Sequence, residues 1–139
     1  MSGLNVSDHL TFDSEAILAF FLGEAGAELV RDSLERVQKR EIDGYINILN
    51  LTEIYYILSR VSPKLAEEKQ RNLRLYGLKI VAISDNGLWR EAAKLKCDHS
   101  MSLADAFAVA TAQNLKTKLI VGSDEEFNNL NVELLRIRG

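Results

Sequence analysis

The sequence predicts an α/β fold in three layers, a mostly parallel sheet of about five strands with helices on both faces. Two observations carry this. Short, apolar, β-prone runs alternate with helical stretches along the whole 139-residue chain, the pattern of strands joined by helical crossovers. In addition, four carboxylates sit where an apolar run hands over to a helix start: Asp13 in LTFDSEA, Glu53 in LNLTEIYY, Asp105 in SLADAFAVA and Asp124 in LIVGSDEEF. Right-handed crossovers bring the carboxyl ends of all parallel strands to one sheet edge, where ligands of such folds bind.

The elements follow in order. HLTF (9–12) is short and β-prone, and SEAILAFFL after it has helical apolar spacing that Gly23 closes. Over 24–41, Ala27, Val30, Leu34 and Val37 share one face of an amphipathic helix. GYINIL (44–49) reads as a strand, and 50–61 as a helix ended by Ser62-Pro63. Pro63 suits the first turn of the next helix, which Gly77 ends. LKIVAI (78–83) is nearly all apolar, as expected of a strand buried on both faces. Ser84 or Asp85 caps a helix to about Cys97, with Leu88, Trp89, Ala92, Ala93 and Leu95 toward the core. The alanine-rich stretch from Ser102 to Leu115 is a helix able to pack close to the sheet. KLIVG (118–122) is the fourth strand, a short helix is expected at 124–130, and VELLRI (132–137) is the fifth strand.

The length suits one domain, 9–139, preceded by a flexible tail over 1–8. No run approaches the ~18 apolar residues of a membrane span, and MSGLNVSDHL lacks the charged and apolar regions of a secretory signal. Cys97, the single cysteine, excludes an internal disulfide and is expected to be a small buried or half-buried residue. These features point to the cytoplasm. A net charge of −3 argues against a general polyanion binder, although Arg31, Arg36, Lys39 and Arg40, then Lys64, Lys69, Arg71 and Arg74, form local basic clusters. These read as solvated helix faces, or as contacts for a phosphate backbone or an acidic segment. There is no GxGxxG after the first strand, no P-loop and no GxSxG elbow.

Taken singly, each acid has an ordinary explanation. Asn50-Leu-Thr-Glu53 and Ser102-Leu-Ala-Asp105 have the capping-box form, and Asp13 and Asp124 stand at helix starts, where acids complement the dipole. Such capping contributes ~1 kcal/mol. Taken together, four carboxylates at one edge repel one another until a proton or a cation neutralises them. An all-oxygen set with no His or Cys partner suits Mg²⁺ or Mn²⁺ and argues against zinc.

In order and setting, these motifs resemble the PIN-domain ribonucleases, most closely the short VapC-type toxins of toxin–antitoxin pairs. The resemblance runs from about Leu10 to Ile137 and is most specific in FDSEAILAFFLGE, LNLTEIYYIL, SLADAFAVATA and LIVGSDEEF. It implies a PIN-like fold in which Asp13, Glu53, Asp105 and Asp124 are the catalytic, metal-binding acids, supported by Ser14 and Ser123. It implies hydrolysis of RNA phosphodiesters with Mg²⁺ or Mn²⁺. It also implies a small antitoxin over the early helices, with Leu18, Phe21, Leu22, Ile54, Ile57 and Leu58 as candidate contacts or core, and a homodimer. Two positions depart from the family. Gly122 stands where a Thr is frequent, two residues before the last acid, and Glu15 replaces a commonly small or polar residue.

Two rival readings explain less. Asp13-Ser14-Glu15 faintly resembles the nucleophile motif of haloacid-dehalogenase-like Mg²⁺ phosphatases, which accounts for neither Glu53 nor LADAFAVATA. A catalytically weak interaction module would keep the acids for capping alone. Tyr45, Tyr55 and Tyr56 could stack on bases or pack on the core, and no base-reading motif names an RNA target.

Overall fold

The computed structural model describes residues 9–122 and 127–138. The expected short helix over 124–130 falls partly outside these residues, as do the expected tail over 1–8, Ser123 and Asp124. The elements are β1 (Leu10–Phe12), α1 (Ser14–Leu22), α2 (Ala27–Gln38), β2 (Gly44–Asn47), α3 (Ile48–Ser59), α4 (Pro63–Tyr76), β3 (Lys79–Val81), α5 (Leu88–Asp98), α6 (Leu103–Leu115), β4 (Lys118–Val121) and β5 (Leu134–Arg136). The five strands form one sheet in the order β3-β2-β1-β4-β5, and every pair is parallel.

Side-chain alternation along the strands produces the three layers. Leu10, Phe12, Ile46, Ile80, Ile120 and Leu135 face a core shared with α1, α2, α3 and α4. Tyr45 and Val81 face the other way, against residues of α5 and α6, and Leu119, Val121 and Leu134 join α6 there. The middle of α6, from Ala106 to Ala112, is buried all round. Its alanines allow this close approach, because a small side chain brings the helix backbone down onto the sheet.

Several helix ends follow local sequence. The Ser62 side chain accepts from Leu65 N, with Pro63 next in the first turn, and Gly23 and Gly77 end their helices in the left-handed conformation. Other expectations need correction. β2 stops at Asn47, whose side chain caps α3 by accepting from Leu49 N at 2.8 Å. Asn50 is therefore not a cap, and Glu53 lies in the second turn of α3 rather than at its opening. The strand predicted as doubly buried is the sheet's edge strand β3, with Lys79 exposed and bonded to Asp43. An apolar run cannot by itself distinguish an edge from a centre.

Trp89 is 52% exposed, not core, and stacks beside Arg90. A turn of 3₁₀ helix at Asp85–Gly87 delays α5 until Leu88. The face toward the core then takes Leu88, Ala92 and Leu95, and Trp89 is rotated away from it by the ~100° step of a helix. Cys97 is exposed rather than buried. Among the described residues no helix is long and apolar enough to cross a membrane.

Candidate metal centre at the carboxyl edge of the sheet

β1 and β4 are parallel neighbours, with Phe12 opposite Ile120, so both end at the same edge. Asp13 is the first residue beyond β1. Its N–H donates to the Ile120 carbonyl at 3.1 Å, and its Oδ1 accepts from Ala16 N at 2.8 Å. The carboxylate thus caps α1 as the sequence suggested, yet Asp13 is only 1% exposed. A cap at a surface helix does not require such burial. Asp105 lies half-buried in the first turn of α6, where its N–H donates to the Ser102 hydroxyl at 3.1 Å. Glu53 is half-buried on α3.

Asn50, one turn before Glu53, links the segments that carry these three acids. Its Nδ2 donates to the Ser14 hydroxyl at 3.0 Å and to the Ala104 carbonyl at 3.1 Å. Ser14 in turn donates to the Asn50 carbonyl at 3.3 Å. Ser14 adjoins Asp13 in sequence, and Ala104 adjoins Asp105. One fully buried amide thus holds the starts of α1 and α6 against α3. Among the described residues its Oδ1 is buried with no hydrogen-bond partner, a condition that costs ~1–3 kcal/mol.

Among the described residues, no three His, Cys, Asp or Glu side chains are grouped to hold a metal ion. The donors nevertheless suit one kind of ion. Mg²⁺ typically binds through one or two carboxylates and keeps several waters, so it does not need a complete protein cage. The buried Asp13 carboxylate, Glu53 on α3, Asp105 on α6 and the Asn50 amide oxygen are all oxygen donors. Such a set fits a hydrated Mg²⁺ or Mn²⁺ and not zinc.

Two participants in this edge were not evident from sequence. Asn50 has the sequence setting of a cap, although its spacing of three before Glu53 puts both on one helix face. Arg138 follows β5, and its guanidinium pairs with Glu15, so a basic group does reach the acidic edge. No local motif signals that contact, because the partners lie at opposite ends of the chain.

The sequence profile of the PIN domain matches residues 10–133. A search among curated proteins returns no match. Solved structures with a similar fold include a toxin–antitoxin complex from Klebsiella pneumoniae, 19% identical, with 92% of this chain and 97% of that chain covered and a TM-score of 0.70. VapBC2 from Rickettsia felis, bound to a DNA fragment from their promoter, is 15% identical over 91% and 97% of the two chains, with a TM-score of 0.74. DNA-bound VapBC from Salmonella typhimurium is 12% identical over 93% and 98%, with a TM-score of 0.68. At these identities the likeness is one of fold.

Proposed function

The chain belongs to the PIN-domain family, and from that premise we propose that it is an endoribonuclease dependent on Mg²⁺ or Mn²⁺, with Asp13, Glu53, Asp105 and Asp124 as its acidic site. The Asn50 network is the observation that carries this reading, since it draws the segments bearing three of the acids into one buried unit. In this reading Asp13 and Asp105 are the principal ligands, and Glu53 and Asp124 act directly or through water. When bound, the divalent ion supplies a Lewis acid that lowers the pKa of water and offsets charge developing on the scissile phosphate.

The chain's own residues do the rest. The Asp13 carboxylate is fixed by its bond from Ala16 N, so its approach to a ligand is set before binding. Ser14 holds Asn50, Asn50 holds the start of α6, and Ser123 is placed beside Asp124 in sequence as a supporting hydroxyl. A carboxylate left unliganded serves as the base that takes a proton from the attacking water.

The toxin role is the finer part of the proposal: a VapC-type toxin held inactive by a small antitoxin, and itself a homodimer. Its support is the shared fold of toxin–antitoxin complexes. Of the candidate antitoxin contacts, Ile54 and Leu58 are core. Leu18, Phe21 and Ile57 are half-buried and Leu22 is exposed, leaving these four available to a partner.

Cleavage of a mixed RNA substrate with Mg²⁺ or Mn²⁺, and with excess chelator, tests the activity. Metal-dependent cutting that chelator abolishes and that Asp13→Asn and Asp105→Asn lose is the expected result. Variants that cut as fast as the wild type would show the acids to be caps alone.

A further inference from the structure

Glu15 and Gly122 touch in the folded chain. A Cβ built on Gly122 would collide with the Glu15 carboxyl group, whose carbon and two oxygens are the nearest atoms to that position. Gly122 is not among the glycines with positive φ, so its backbone does not demand glycine. What stands in the way of a side chain is the Glu15 carboxylate, the far end of a flexible side chain, so a methyl here displaces Glu15 rather than the backbone.

That carboxylate is held in place. The Arg138 guanidinium pairs with Glu15, and its other amino group donates to the Ala25 carbonyl at 2.9 Å. Arg138 is delivered there because Ile137 N–H donates to the Val121 carbonyl at 2.9 Å, laying the end of β5 beside the end of β4. The two side chains are 27% and 33% exposed, enough to keep an ion pair solvated on one side. An isolated pair of this kind contributes little. This one differs in having a slot without a side chain on one side and a second backbone anchor on the other.

The geometry points to Glu15 as a positioning residue of the acid edge: filling the place of a side chain at position 122, it fixes the end of β4 against the start of α1. Asp13 lies two residues before Glu15, and Asp124 two residues after Gly122. Glu15 therefore sets the spacing between the end of β4 and the start of α1, beside Asp13, and Arg138 keeps it there. The inference rests on the acid edge being the cation site proposed above.

Calorimetric titration of the full chain with Mn²⁺, together with melting in EDTA, tests it. Gly122→Ala puts a methyl against the Glu15 carboxylate, and Glu15→Ala removes that carboxylate. Each weakens Mn²⁺ binding by about 10-fold, the usual scale for a residue that orients ligands. The double variant is no weaker than Glu15→Ala, because the methyl then enters a vacant slot. Glu15→Gln keeps the shape and the reach to Arg138 but gives up the charge, and falls between the wild type and Glu15→Ala.

Wild-type affinity in Gly122→Ala, additive losses in the double variant, or a loss in Glu15→Gln as large as in Glu15→Ala would each overturn the positioning role. Melting in EDTA reads the same contact without metal, and the two single changes must be non-additive there as well. A wild type that binds no Mn²⁺ but retains this melting coupling overturns the proposed cation site and, with it, the positioning role. Loss of the coupling overturns the inference alone.

Discussion

Where α1, α3 and α6 meet, the acid edge is held by uncharged hydrogen bonds among Ser14, Asn50 and the Ala104 carbonyl, with Asn50 fully buried. Where α1 meets the ends of β4 and β5, it is held by the Glu15–Arg138 ion pair, about a third exposed. The difference lies in what each contact gives up on breaking. Truncating a buried amide strands its partners away from water at full desolvation cost. Opening a solvated ion pair returns both charges to water and salt. One side should therefore be rigid and intolerant of change, and the other adjustable. Glu15 and Gly122 both lie on the adjustable side.

The largest effect is expected at Asp13, which the two sides share. Asp13→Asn should lower RNA cleavage by about 100-fold or more, ~3 kcal/mol in the barrier, with little change in melting temperature. Asn caps a helix about as well as Asp, so this variant separates the proposed chemistry from the cap. Asp13→Ala should lose both, with ~1 kcal/mol of stability removed in addition.

Next is the buried side. Asn50→Ala should cost ~2–3 kcal/mol in urea unfolding, and the loss should be the same in low and high salt. A cost below ~0.5 kcal/mol, the range of plain surface changes, would place this network among ordinary contacts and end the comparison.

The solvated side should yield less. Arg138→Ala should cost ~0.5–1 kcal/mol at low salt, shrinking by half or more in 1 M NaCl, where the screening length falls to ~3 Å. An undiminished cost at high salt would mean that packing, not charge, holds Glu15. The smallest effect belongs on the exposed face of α5, outside both contacts. Trp89→Ala should change stability by no more than ~0.5 kcal/mol, since Trp89 is half exposed.

Much of this architecture was legible because its causes are local. The caps at Asp13 and Ser102 and the stops at Gly23 and Gly77 depend on backbone geometry within a few residues. The alanines of α6 gave away its close packing. Other features depend on contacts that no local pattern encodes. Asn47 and Asn50 are both able to cap α3, and the structure shows Asn47 doing so while its Nδ2 bonds Thr111 of α6. The apolar run of β3 looked central and is an edge. Trp89 looked like core as a neighbour of Leu88, yet it sits one helical step off the face formed by Leu88, Ala92 and Leu95. The places of Asp13, Glu53 and Asp105 at or near helix starts were readable from the alternating pattern, while the Asn50 bonds to Ser14 and Ala104 needed the tertiary fold. Asp124 lies outside the described residues.

Calorimetric titration of Mn²⁺ into the wild-type chain and into Asp13→Asn and Asp105→Asn tests the acid edge as a cation site most directly. Saturable binding in the wild type, lost in both variants while their melting temperatures stay near that of the wild type, is the predicted result. Binding of equal strength in all three, or none in the wild type at millimolar Mn²⁺, would contradict it.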